Sequence, residues 1–163
     1  MRSILFLPTD KIERLPKAIG SGADKVIFDL EDGLAHENKA IGRSNFADLA
    51  NRNYDGQVDK LLLRINALDT EEYKEDIKLL RSLPFLPYSI AVPKIESADE
   101  CRTFLKDLGT DILVLPPYPV TLQNMSYKGT EKATKTIIVR TISDKPKAVL
   151  LFDILYSKNI RLK

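Results

Sequence analysis

The stretch that decides the fold is VIFDLEDG, Val26 to Gly33. It opens as an unbroken apolar run, Val26-Ile27-Phe28, and ends on three carboxylates, Asp29, Glu31 and Asp32, within four positions. A short apolar run without alternation suits a strand buried on both faces, which is the habit of parallel sheets. Acids repel one another and resist burial, so their gathering at the end of such a strand calls for a role beyond folding.

Outward from this stretch the same pattern repeats. Ile4-Leu5-Phe6-Leu7, Leu61-Leu62-Leu63, Ile90-Ala91-Val92 and Ile112-Leu113-Val114-Leu115 are further apolar runs. Amphipathic helical patterns lie between them. Ile12, Leu15 and Ile19 share one face; Tyr73, Ile77 and Leu80 share another; Ala98, Cys101, Leu105 and Leu108 form a third. Ser97-Ala-Asp-Glu100 is a capping box that opens the last of these. Between Ala35 and Asn53, Ala40, Phe46 and Leu49 suggest one more helix. Strands starting near residues 3, 25, 61, 89 and 111 make about five βα units. Such a run is expected in a doubly wound sheet or a (β/α)8 barrel.

After Leu115 the pattern breaks. Pro116-Pro117-Tyr118-Pro119 cannot continue a central strand or enter a helix. The polar stretch that follows reads as loop, while 136–142 and 148–156 are apolar enough to be ordered, as strands or as a strand and a short helix. The expected organisation is a β/α domain over residues 1–119 and a basic C-terminal extension over 120–163, packing on it or continuing it.

Composition narrows the class. The 163 residues are 44% hydrophobic and 29% charged, enough for one domain with a core. No apolar run approaches the roughly 20 residues of a membrane span, so no membrane partner is expected. MRSILFLPTDK reads as a first strand and not as a signal peptide, and a cytoplasmic location is the default. The one cysteine, Cys101, excludes an internal disulfide and a thiolate zinc cluster, and the one histidine, His36, argues against a multi-histidine metal site. Residues 120–163 hold nine Lys/Arg against three Asp/Glu, while the rest of the chain is acidic. Solvated surface explains this basic tail most simply. An anionic ligand or an acidic partner is the alternative, and without aromatic interleaving no nucleic acid is expected.

The informative regularity is at the strand ends. Pro8-Thr9-Asp10, Asp29-Leu-Glu31-Asp32, Arg64-Ile-Asn66 and Pro93-Lys94-Ile-Glu96 each follow an apolar run. In parallel α/β folds these ends point into the loops that build the active site. Arg64 is either a fork for a substrate carboxylate or phosphate, or a structural ion pair with Asp29 or Glu31. Asn66 either donates to a substrate oxygen or caps the next turn. The acids either surround a Mg²⁺ ion, or Asp32-Gly33 is a turn and Asp29 an anchor for the arginine. Lys94 is best read as a charge partner. Glu96 either reaches the site or precedes the helix at Ser97. His36 reads as a surface residue and Cys101 as core packing. No GxGxxG, Walker loop, GxSxG or HExxH is present.

RSILFLP, SGADKVIFDLEDGLA, LLLRINALDT and VPKIESADE, in this order and spacing, resemble the citrate lyase β-subunit (CitE-like) branch of the HpcH/HpaI aldolase family over roughly residues 2–110. The resemblance implies a (β/α)8, TIM-type barrel, here incomplete or truncated, with about five βα units and an irregular C-terminal segment. It also implies a Mg²⁺-dependent carbon–carbon lyase acting on an acyl-CoA or a 2-oxo acid; the type reaction converts citryl-CoA to acetyl-CoA and oxaloacetate. By the same resemblance Asp29, Glu31 and Asp32 are the catalytic acids beside the metal and its waters, Arg64 grips the substrate carboxylate and Asn66 is with it. The family's direct Mg²⁺ ligands are a glutamate and an aspartate in later motifs. Where the first is expected this chain reads LVLPPYPV and the second motif is absent, so no residue here inherits a metal-ligand role. A homo-oligomer, with other citrate lyase subunits as further partners, would cover the open edges of an incomplete barrel. The alternative function is a non-catalytic truncated homologue that has lost the metal ligands and serves as a partner or oligomeric subunit.

Overall fold

The computed structural model describes residues 3–109, with backbone only at Ala98, and the backbone of 135–141 and 149–156. Four of the apolar runs form parallel strands: β1 (Ile4–Pro8), β2 (Lys25–Asp29), β3 (Leu61–Arg64) and β4 (Ser89–Pro93). They lie side by side in chain order. The register sets Pro8 beside Asp29, Asp29 beside Arg64 and Arg64 beside Ala91, so the chemistry-bearing strand ends form one row.

The connecting helices are α1 (Leu15–Gly20), α2 (Lys39–Asn51), α3 (Glu71–Ser82) and α4 (Ala98–Leu108). Thr70 caps α3 by accepting from the Tyr73 amide at 3.2 Å, and Glu71 and Glu72 in the first turn suit the positive end of the helix dipole. The capping box of α4 is complete: Ser97 Oγ accepts from the Glu100 amide and the Glu100 carboxylate accepts from the Ser97 amide. Gly109 ends the helix in a left-handed conformation, φ 71°, that few other residues take without cost. For α2 the expected face needs correction, because Ala40 is exposed. It stands six positions before Phe46, which at about 100° per residue puts the two roughly a third of a turn out of phase. Lys39, Gly42, Phe46 and Leu49 follow the three-and-four spacing and are buried.

All four helices cover the same side of the sheet. Leu7, Val26, Phe28, Leu61, Leu63, Ile90 and Val92 point to that side and pack with Leu15, Phe46, Leu49, Tyr73, Leu80, Phe104 and Leu105 in one core. Phe46 lies edge-on to Phe28 at 5.5 Å and against Tyr54 at 6.0 Å between centroids. The alternate residues Ile27, Leu62 and Ala91 form a separate small cluster with Ile4 on the opposite side. Sequential strands with helices on one face are singly wound, the winding of a β/α barrel; a doubly wound sheet carries helices on both faces.

Beyond β4 the sheet continues with β5 (Lys135–Thr141) and β6 (Val149–Tyr156), each antiparallel to its neighbour. Over these spans, expected to be ordered within an otherwise irregular segment, the chain is regular strand. The seven residues 142–148 between them are too few for the crossover that parallel pairing demands. The fifth apolar run, Ile112–Leu115, and the proline cluster after it lie outside the described residues. No helix among the described residues is long and apolar enough to cross a membrane.

Candidate functional site

Asp29 and Arg64 each stand two residues beyond a member of the small cluster, Ile27 and Leu62, so alternation turns both toward the helix-free side. Asp29 is 2% exposed and fully engaged. Its Oδ1 accepts from Arg64 Nε at 2.7 Å and from the Glu31 amide at 2.9 Å; its Oδ2 accepts from Arg64 Nη2 and from the Gly33 amide at 2.9 Å. One carboxylate thereby folds its own loop and holds the guanidinium by two parallel bonds. Gly33 permits this: a Cβ there would collide with Asp29 Oδ2. Thr9, buried at the end of β1, donates its hydroxyl to the Asp29 carbonyl at 3.0 Å.

Arg64 reaches further. Its Nη1 lies 2.8 Å from Glu31 Oε2, and its guanidinium carbon sits 5.0 Å from the centre of the Phe6 ring, which is 53% exposed. Burial alone would lower the Arg64 pKa, but the hydrogen bond and charge of Asp29, with the charges of Glu31 and Asp32, more than reverse this and raise it. The cation is permanent.

Glu31 is the unsettled acid. It is 6% exposed, and Oε1 has no hydrogen-bond partner although Lys94 Nζ is 3.2 Å away. Distance makes this an ion pair, but the geometry does not make a directed hydrogen bond. Burial pushes the Glu31 carboxyl up, with Asp32 adding to it, against the opposing pull of Arg64 and Lys94. Lys94 itself occupies left-handed backbone, φ 55°, uncommon outside glycine and a feature of functional loops. Asp32 is exposed beside this group.

Asn66 enters from the end of β3 but faces a second network. Its amide N–H and Nδ2 both donate to Asp76 Oδ2 at 2.7 Å, and its Oδ1 accepts from Lys39 Nζ. Lys39 also donates to the carbonyls of Leu30, at 2.8 Å, and Glu31, at 3.3 Å. Asp76 is wholly buried, and Arg43 Nε donates to its Oδ1 at 2.7 Å. Arg43 Nη2 continues to Glu72, whose other oxygen is 3.2 Å from His36 Nδ1 at the surface. Burial pushes the Asp76 carboxyl up, partly offset by Asn66 and Arg43; the Arg43 hydrogen bond holds the Glu72 carboxyl down.

The structure thus joins Asp29, Glu31 and Arg64, brings Lys94 to them as a charge partner, and seats Asn66 in the adjoining network. The two readings of Arg64 are compatible, since an arginine anchored by Asp29 and Glu31 remains 18% exposed. Glu96 is exposed, and its amide donates to Glu100 at 2.6 Å as the chain enters α4. His36 is exposed, and Cys101 packs against the main core. A separate cleft of about 460 Å³ opens between α3 and α4 beside Tyr73, Ile77 and Asp107. Its Lys74 and Lys78 are already paired with Glu71 and Glu75, and it gathers no comparable constellation. Sequence reasoning missed Lys39, Arg43 and Asp76. Asp76 was findable, because an acid three residues after Tyr73 and four before Leu80 falls on the buried face of its helix. A lysine at a helix start carries no such signal.

Residues 2–109 match the sequence profile of the HpcH/HpaI aldolase/citrate lyase family. The chain belongs to that family. A (3S)-malyl-CoA thioesterase of Cereibacter sphaeroides is 33% identical over 112 residues, 68% of this chain and 38% of the relative. The citrate lyase subunit beta-like protein of Mycobacterium tuberculosis is 36% identical over 94 residues, 58% of this chain and 32% of the relative. Among solved structures, the citrate lyase beta subunit of M. tuberculosis complexed with oxaloacetate and magnesium aligns with TM-score 0.53 and 33% identity, covering 62% of this chain and 42% of that one. The chain therefore spans well under half the length of the relatives it matches.

Family members are solved with magnesium, and the described residues of this chain offer that ion little. Both oxygens of Asp29 are filled by an arginine N–H and a backbone N–H. Glu31 offers one oxygen to Arg64 and the other to Lys94. No group of three His, Cys, Asp or Glu able to hold a metal occurs among the described residues. A hard dication needs several oxygen ligands, and with Asp29 and Glu31 engaged this loop offers only the exposed Asp32 carboxylate. The described residues do not fit Mg²⁺ as direct ligands.

Proposed function

We propose that Asp29, Glu31 and Arg64 form the carboxylate-recognition part of a CitE-like carbon–carbon lyase site, acting on an acyl-CoA or 2-oxo acid substrate of the citryl-CoA type. The observation that supports this reading is the anchored Arg64, a permanent cation fixed by Asp29 at the carboxyl end of a parallel strand and still open to one side. A guanidinium has five N–H donors, so the pair of bonds to Asp29 leaves others for a ligand carboxylate. Phe6 gives that position an apolar floor. Asp29 acts by orienting Arg64. Glu31, buried with its carboxyl pushed up, is the acid suited to keep or return a proton. Asp32 adds negative charge at the rim, and Asn66 fixes the neighbouring loop. The parallel sheet is read as an arc of a TIM-type barrel within residues 1–119, with 120–163 as a basic extension. A cytoplasmic homo-oligomer, alone or with other citrate lyase subunits, completes the proposal.

A second reading, a non-catalytic relative that binds the acid without cleaving a carbon–carbon bond, is favoured by the donor set that does not fit Mg²⁺. Calorimetric titration with oxaloacetate, run beside an assay of citryl-CoA cleavage, separates the two. Arg64→Ala is expected to weaken oxaloacetate binding roughly tenfold to a hundredfold, the scale of a lost charged hydrogen bond. Binding with cleavage supports the first reading, and binding without it supports the second. A folded wild-type protein silent in both measurements sinks the carboxylate site.

A further inference from the structure

Lys39 is a buried cation without an assigned task. It is the first residue of α2, where the helix dipole disfavours a cation. It is 9% exposed, and burial of an ammonium is costly unless a carboxylate compensates it. None does: all its hydrogen bonds go to neutral oxygens, the Leu30 and Glu31 carbonyls and Asn66 Oδ1. Glu72 on α3 feels its charge, but that acid is itself bound by Arg43.

The acceptors show what the cost secures. Two belong to the loop after β2 that carries Glu31, and the third to the loop after β3 that follows Arg64. With three N–H donors spent, the ammonium has nothing left for a substrate, so it is no nucleophile. We propose that Lys39 is a positioning residue that staples the two site loops together and holds the Glu31 carboxylate against Arg64. This rests on the carboxylate-site reading only for its functional consequence. Asp76 completes the frame from α3 by gripping the amide and side chain of Asn66.

The test has one arm that needs no ligand. In ¹³C-labelled protein the Glu31 carboxyl is followed through a pH titration in wild type, Lys39→Met and Lys39→Arg. The charged groups acting on that carboxyl are Arg64 from β3, Lys94 from the loop after β4 and Asp32 from its own loop, while Asp29 and Lys39 bond the Glu31 backbone. Release of the loop in Lys39→Met lets water reach Oε1, so the Glu31 midpoint is expected to fall toward the ordinary carboxylate value of 4.5. Lys39→Arg, which keeps charge and donors, restores most of the shift. A midpoint that stays put or rises in folded Lys39→Met overturns the proposal; a rise is the signature of lost charge without lost position. Should Lys39→Met fail to fold, Lys39→Gln takes its place with the same expected direction. In the second arm, oxaloacetate binding weakens about tenfold in Lys39→Met. Wild type that binds no oxaloacetate refutes the carboxylate site, while the titration arm still decides the role of Lys39.

Discussion

The two faces of the sheet carry different kinds of residue. On the helix-covered face, apolar side chains from every parallel strand meet four helices in a continuous core. On the other, Ile27, Leu62 and Ala91 make a small island, and the row continues at once into Asp29 and Arg64. Stability is concentrated where the side chains are alike and closely packed. Chemistry is placed where that packing thins and charged groups must satisfy one another. Substitutions on the two faces should therefore fail in different ways.

The largest effect is expected on the covered face. Phe46 is fully buried among Phe28 and Tyr54, and Phe46→Ala should destabilise the fold by about 3–5 kcal/mol, transfer and cavity terms combined. Denaturant unfolding measures the loss, and oxaloacetate affinity of the folded fraction should not change. A large drop in affinity at unchanged stability would break the division between the faces.

Gly33→Ala probes the other face. Its new Cβ would press on Asp29 Oδ2, the atom that also holds Arg64, so the loop or the arginine must shift. We expect a cost of about 1–3 kcal/mol, in the range of overpacking, with a loss of oxaloacetate binding out of proportion to it. Unchanged binding would mean that the loop yields elsewhere and that Asp29 does not set the arginine.

How much of this was legible depended on which physical rule governed each residue. Unbroken apolar runs found all four parallel strands, and helical spacing found α3 and α4, because burial on defined periods leaves a trace in the sequence. The Ser97–Glu100 box was readable because capping is local. Ala40 misled, since apolar residues lie on both sides of α2, with Ile41 exposed and Phe46 buried, and so underdetermine its phase. The C-terminal pairing was hidden: strand direction depends on the length of the connection and the partner offered, not on composition. At the site, Asp29, Glu31 and Arg64 could be grouped because each ends or follows a strand. Lys39 and Arg43 could not, since a cation on a helix is ordinarily solvated, and only the folded chain turns these two inward against carbonyls and Asp76.

The smallest and most discriminating effect is a slope. Burial raises the Glu31 pKa above its unfolded value of 4.5, so the native state holds that proton where the unfolded chain has released it. Stability from this group is fully present below pH 4.5 and is lost as pH rises from there through the folded pKa. Asp76, also pushed up by burial, acts in the same direction, whereas Glu72 and Glu100 are held down and act below their ordinary range. Absolute curves mix these contributions, and the comparison of wild type with Glu31→Gln separates them. Glutamine forfeits the Arg64 ion pair, which offsets the whole curve, but it cannot titrate. Thermal unfolding followed upward from pH 4.5 should show wild type declining relative to Glu31→Gln. Parallel curves would place Glu31 in contact with water, and the helix-free face would then hold a solvated ion cluster in place of a buried acid poised between two cations.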